Sequence, residues 1–128
     1  MIKFISTLVL FITFYSSASH AEWEFLGKSK NGSNLYFDNV NFKKNLGHLY
    51  FFGLYDFIKP NNYGTLSVIA YYKLSCNTLK YKSINDKMYK KPMGEGSPRI
   101  INKPDRTWRK TDMKYFKNFF KEVCSYQD

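Results

Sequence analysis

The chain has few of the residues from which catalytic and metal sites are built. Of its 128 residues, two are histidine and two are cysteine. One histidine, His20, falls within the first 21 residues, which leaves His48 alone in the remainder. A Ser-His-Asp or Cys-His arrangement would have to form around that one imidazole. His48 instead opens an aromatic run ending at Phe57, where the ordinary role of a strand-edge residue suffices. Zinc sites draw on clustered Cys, His and carboxylate, and no ligand spacing of that kind occurs. The acidic residues are scattered, with no pair that suggests a glycosidase. The segment Pro92 to Pro98 holds two glycines but lacks the Lys-Ser/Thr and the helix of a phosphate loop. These shortages predict a protein that is not an enzyme, binds no metal and needs no cofactor.

Long apolar runs are also missing. The longest, Phe4 to Tyr15, has 12 residues broken by Ser6, Thr7 and Thr13. Spanning a hydrocarbon core of ~30 Å takes about 20 residues, so no transmembrane segment is expected. Lys3 precedes this run and small residues follow it, with Ser19 and Ala21 placed where signal peptidase requires them. Residues 1–21 therefore read as a secretory signal peptide cut before Glu22, and 22–128 as a single domain. No cysteine near the cut is available to accept a lipid.

In an exported chain, an even cysteine count points to a disulfide, and Cys76 with Cys124 is the one intramolecular pairing available. By the chain-entropy relation, a bridge over that distance is worth roughly 4 kcal/mol.

Basic residues dominate. The formal net charge is +10, with 20 Lys and Arg against 10 Asp and Glu. From Lys80 to Lys121 there are 13 basic and four acidic residues, whereas Glu22 to Leu79 is nearly balanced. A low-GC genome would raise lysine everywhere, but it does not explain the clustering after residue 80. The asymmetry predicts an anionic partner: an acidic protein, an anionic glycan or a lipid head group. Export argues against nucleic acid. The candidate binding residues are Lys80, Lys82, Lys87, Lys90, Lys91, Arg99, Lys103, Arg106 and Arg109. Twenty-one aromatic residues follow residue 21, more than one small core can hide, and aromatic and Arg side chains are favoured at interfaces. Trp108 is expected to pack its loop onto the sheet.

Periodicity sets the fold class. Leu66, Val68, Ala70, Tyr72, Leu74 and Cys76 alternate with Ser67, Ile69, Tyr71, Lys73 and Ser75, a clear strand with Cys76 ending its apolar face. Residues 22–28 and 34–38 predict a hairpin about Asn31-Gly32. Residues 39–47 read as a polar turn with room for one helical turn, 48–57 as a strand with Gly53 a candidate bulge, and 79–83 as a strand with a cationic outer face. From Lys87 to Arg109 the prolines and glycines predict a long irregular loop. Met113, Phe116, Phe119, Phe120, Val123 and Cys124 form one stripe of a terminal helix capped by Thr111 or Asp112. The expected fold is α+β: an antiparallel sheet of five to six short strands, with the C-terminal helix on one face and tied by the disulfide.

Taken in order, Glu-Trp-Glu-Phe-Leu-Gly (22–27), Leu-Tyr-Phe-Asp (35–38), Cys76, Met-Gly-Glu-Gly (93–96), Trp108 and a final Glu-Val-Cys (122–124) resemble the surface-adhesin protein E family of Gram-negative bacteria. The resemblance covers essentially all of 22–128. It implies the same sheet-and-helix fold and a non-enzymatic protein that binds host matrix proteins or plasminogen. A homodimer falls within what it implies. Its alternative is a soluble periplasmic protein of the envelope with no host ligand, so the location expected is the periplasm or the cell surface.

Overall fold

A computed structural model describes residues 21–101 and 107–125. The leader, Lys103 and Arg106 lie outside the described residues. Seven strands form one antiparallel sheet: β1 Trp23–Lys28, β2 Asn34–Asp38, β3 Lys43–Asn45, β4 His48–Asp56, β5 Ser67–Ser75, β6 Tyr81–Tyr89 and β7 Arg99–Ile101. A 3₁₀ turn, Pro92–Gly94, precedes β7, and one helix, α1 Lys114–Ser125, ends the described chain. The spatial order is β1-β2-β4-β5-β6-β7, with β3 beside β2 along the same edge of β4.

Side chains alternate across this sheet, and α1 covers one face of it. Phe37, Leu49, Phe51, Leu74, Phe119, Phe120 and Val123 form the core between helix and sheet. The Phe119 ring lies 4.3 Å from that of Phe37 and 5.7 Å from that of Phe51. This is the apolar stripe of the helix meeting the even-numbered face of β5. The Tyr115 hydroxyl donates to the carbonyl of Lys28, fixing the helix to the β1 edge. Cys76 and Cys124 are bridged, with Cα atoms 5.6 Å apart.

Tyr72 lies on the helix-facing side of β5 and donates a hydrogen bond to Tyr55. Burial, and then the neighbouring Tyr55, push the Tyr72 phenol well above its ordinary value.

Four local expectations need correction. Gly53 is not a bulge: its pairing with Ala70 and Phe37 is regular. A Cβ there would meet the Tyr72 ring at 2.8 Å, so the glycine makes room for that ring. The irregularities occur instead between Phe25 and Gly27 and between Tyr71 and Tyr72 in their pairings. Residues 39–47 are not simply a turn. Asp38 accepts from the amides of Val40 and Asn41, bending the chain into β3, and Leu46-Gly47, both at positive φ, close a two-residue hairpin. Residues 87–109 are more ordered than a loop. β6 continues to Tyr89 because its polar Asp86-Lys87, with Met88, is paired on both sides, to β5 and β7. The first helical bond is accepted by the carbonyl of Met113 from Lys117, while Thr111 Oγ1 accepts from Met113 one turn earlier.

Candidate functional site

The sheet face opposite α1 is the candidate site. Residues paired across strands point to the same side, so the register defines its rows. One row runs Lys43, Tyr50, Lys73, Lys82 across β3, β4, β5 and β6. The next runs Trp23–Asp38 across β1 and β2, then Phe52, Tyr71 and Asn85 across β4, β5 and β6. None of the rings in these rows belongs to the helix-covered core. Trp23, Asp38, Phe52, Tyr71 and Asn85, with Lys43 and Lys87, line an open basin of about 620 Å³, and Tyr50, Lys73 and Lys82 lie in the adjoining row.

Aromatic rings and lysines are interleaved here. Phe52 and Tyr71 have ring centroids 4.6 Å apart, and Tyr50 stacks on Tyr71 at 6.2 Å. Lys73 and Lys82 are direct cross-strand partners, a like-charge pairing that costs rather than stabilises. Each ammonium turns to a ring: Lys73 lies 5.6 Å from the Tyr50 centroid and Lys82 lies 4.6 Å from that of Trp108. Such contacts offset part of the repulsion, at roughly 0.5–1 kcal/mol each where exposed. Of the acids on this face, Asp38 is buried and spends its carboxylate on Val40, Asn41 and the Asn41 side chain.

The lower end of the face is covered by the 3₁₀ turn. The Met93 amide donates to Asp56 at 2.9 Å and the Gly94 amide to Ser67 Oγ at 2.8 Å. Ser67 itself donates to the carbonyl of Lys91 at 2.6 Å. A Cβ on Gly94 would come within 2.5 Å of Ile69 Cδ1, so the glycine, at φ +68, lets the backbone lie on the sheet.

The nine basic residues expected from the sequence do not share one surface. Lys82 and Lys87 stand on the open face. Lys80 sits just before β6, where its carbonyl accepts from Ser75. Lys90 and Lys91 are exposed at the end of β6 beside the clamped turn. Arg99 pairs with Met88 and so points to the helix side. Arg109 exchanges backbone hydrogen bonds with Tyr81, at 2.8 and 2.9 Å. Trp108 is 36% exposed, with its ring 6.0 Å from that of His48, so it does hold its segment to the sheet. Sequence reasoning missed Trp23, Lys43, Tyr50, Phe52, Tyr71 and Lys73. The signal was a strand, 48–57, aromatic on both faces in a chain with one helix to cover it.

Among the described residues, no His, Cys, Asp and Glu group could hold a metal, and no helix is long and apolar enough to cross a membrane.

The chain matches the family model of surface-adhesin protein E over residues 23–125. Among solved structures, it is similar to the selenomethionine form of Haemophilus influenzae protein E, with a TM-score of 0.59 and 17% identity over 78% of this chain and 84% of that one. Crystal form II of the same protein gives a TM-score of 0.59 and 17% identity over 78% and 86% of the two chains. No curated protein matches the chain. The chain belongs to the surface-adhesin protein E family.

Proposed function

We infer that this family member is an exported, non-enzymatic binding protein that adheres to host extracellular matrix, its matrix proteins or plasminogen, through the open face of its sheet. The observation that carries this reading is the row Lys43, Tyr50, Lys73, Lys82, which sets three lysines around a ring on a face the helix leaves bare. Aromatic side chains contribute area at low entropy cost, and clustered cations steer an acidic partner. Lys90 and Lys91, exposed at the end of β6 beside the turn that covers the lower end of this face, would enlarge the contact.

The test is adsorption of the purified protein to surfaces coated with laminin, vitronectin or plasminogen. Binding should weaken as salt rises, and fall when Lys43, Lys73, Lys82 and Lys87 are changed together to Gln. Binding that ignores both this change and neutralisation of Lys90, Lys91, Arg99, Lys103 and Arg106 would remove the basic surfaces from adhesion. Protease treatment of intact cells supplies the location: digestion is expected of a surface protein and protection of a periplasmic one.

A further inference from the structure

We propose that the open sheet face is a subsite for an acidic polysaccharide, bearing sulfate or uronate groups, laid across the strands. The proposal rests on the adhesive reading of this face and names the chemistry it recognises. Three observations converge on it.

The first is charge. Lys73 and Lys82 are paired directly across β5 and β6, with Lys43 in the same row and Lys87 nearby in the basin. The carboxylates on this face are already engaged, Asp38 by its own turn and Asp56 by the Met93 amide. A row of cations with its acids already consumed is complementary to an anion, and anion binding relieves the like-charge pairing.

The second is the kind of polar group on offer. Besides ammonium groups, the basin and its rows present amides and phenols: Asn41, Asn85, Tyr50 and Tyr71. These donors and acceptors suit hydroxyl, carboxylate and sulfate groups alike.

The third separates a glycan from its rivals. Rings that read single-stranded nucleic acid offer their faces to bases. Here the Tyr50 and Phe52 rings lie against Tyr71, so those faces are partly occupied by one another. An extended peptide docks by pairing with a free strand edge. This basin lies over the interior of the sheet, where β4 and β5 are hydrogen-bonded on both sides.

Both tryptophans of the chain, Trp23 and Trp108, border this face, so intrinsic fluorescence reports its occupation. The full folded protein is titrated with a heparin hexasaccharide, a hyaluronan hexasaccharide, neutral dextran and a single-stranded oligodeoxynucleotide. Sulfated or uronate-only glycan should change the emission with an affinity that falls as salt rises, and dextran should not. The two acidic probes distinguish a sulfate requirement from a carboxylate one, and binding of either supports the proposal. The double variant Lys73→Gln/Lys82→Gln, folded by far-ultraviolet circular dichroism, should bind at least tenfold more weakly. Lys117→Gln/Lys121→Gln on the helix removes the same charge and should change affinity less than twofold. Equal losses in both variants, or tighter binding of the oligonucleotide than of either acidic glycan, would overturn the proposal. Matrix adsorption lost in Lys73→Gln/Lys82→Gln while no acidic glycan binds overturns the glycan assignment and leaves the adhesive face standing. Glycan binding lost in that variant with matrix adsorption unchanged supports the subsite and removes the face from adhesion.

Discussion

Replacing both cysteines, Cys76→Ala and Cys124→Ala, weighs the bridge against the packing it reinforces. The two residues are 48 apart in sequence, which by loop-closure entropy corresponds to about 4 kcal/mol. On the other side stand Phe119, Phe120 and Val123, each at most 6% exposed against the sheet. Full burial of such side chains contributes about 1.5–3 kcal/mol apiece, together roughly 5–9 kcal/mol. Packing outweighs the bridge, so the variant should still fold with α1 docked, in a domain whose total stability is ~5–15 kcal/mol. Urea denaturation followed by circular dichroism should show one cooperative transition. With a slope near ~1.5 kcal/mol/M, the midpoint should fall by roughly 2–3 M, and the slope should rise because the unfolded chain is freed to expand. Hydrogen exchange should still protect the amides of Phe119 to Val123. A loss below about 1 kcal/mol would refute the entropic account. No cooperative transition even in water would refute the ranking of packing above bridge.

Three further outcomes are expected. Gly94→Val places a side chain at φ +68 against Ile69, and should cost roughly 2–3 kcal/mol in thermal or urea unfolding and release residues 91–96 to proteolysis; unchanged stability and cleavage would show the turn is not clamped. Tyr72 is raised above its ordinary 10.0 by burial, so its contribution is complete below about pH 10 and is lost as pH climbs toward the folded value; Tyr72→Phe should flatten the fall in stability above about pH 10, and parallel curves for both proteins would contradict the assignment. Gly53→Ala drives a methyl into the Tyr72 ring, and should cost about 1–3 kcal/mol by calorimetry, relieved in the double variant with Tyr72→Leu; no relief would place the strain elsewhere.

The parts of this fold that were legible in the sequence are those where one period dominates. Alternation along β5 places Ala70, Tyr72 and Leu74 toward the helix, and the stripe of α1 meets them. β7 and the far half of β6 were not legible. Asp86-Lys87 has poor strand propensity, and pairing on both sides overrides it, while Pro92, Gly94, Gly96 and Pro98 read as loop whatever they dock against. The candidate site was half legible. Lysine clustering after residue 80 pointed to Lys82 and Lys87. Yet the partners that give them a surface, Lys43 and Lys73, lie in segments of balanced charge and meet them through sheet register alone. The alternation of β4 is no guide by itself, because Tyr50 and Phe52 are as apolar as Leu49 and Phe51 on the other face.

The order of the strands has a consequence for how the molecule comes into being. Apart from the β3 detour, each strand pairs with its predecessor, so the sheet can grow hairpin by hairpin from local contacts. What cannot form early is the cover. Phe116 to Cys124 are the last residues of the described core along the chain, and until they dock Phe37, Leu49, Phe51 and Leu74 face water. The nascent protein is thus a two-sided aromatic sheet, adhesive on both surfaces, and becomes one-sided only when its final helix closes. A stalled or C-terminally clipped chain would be sticky on the wrong face, and the bridge to Cys124 makes that closure hard to undo.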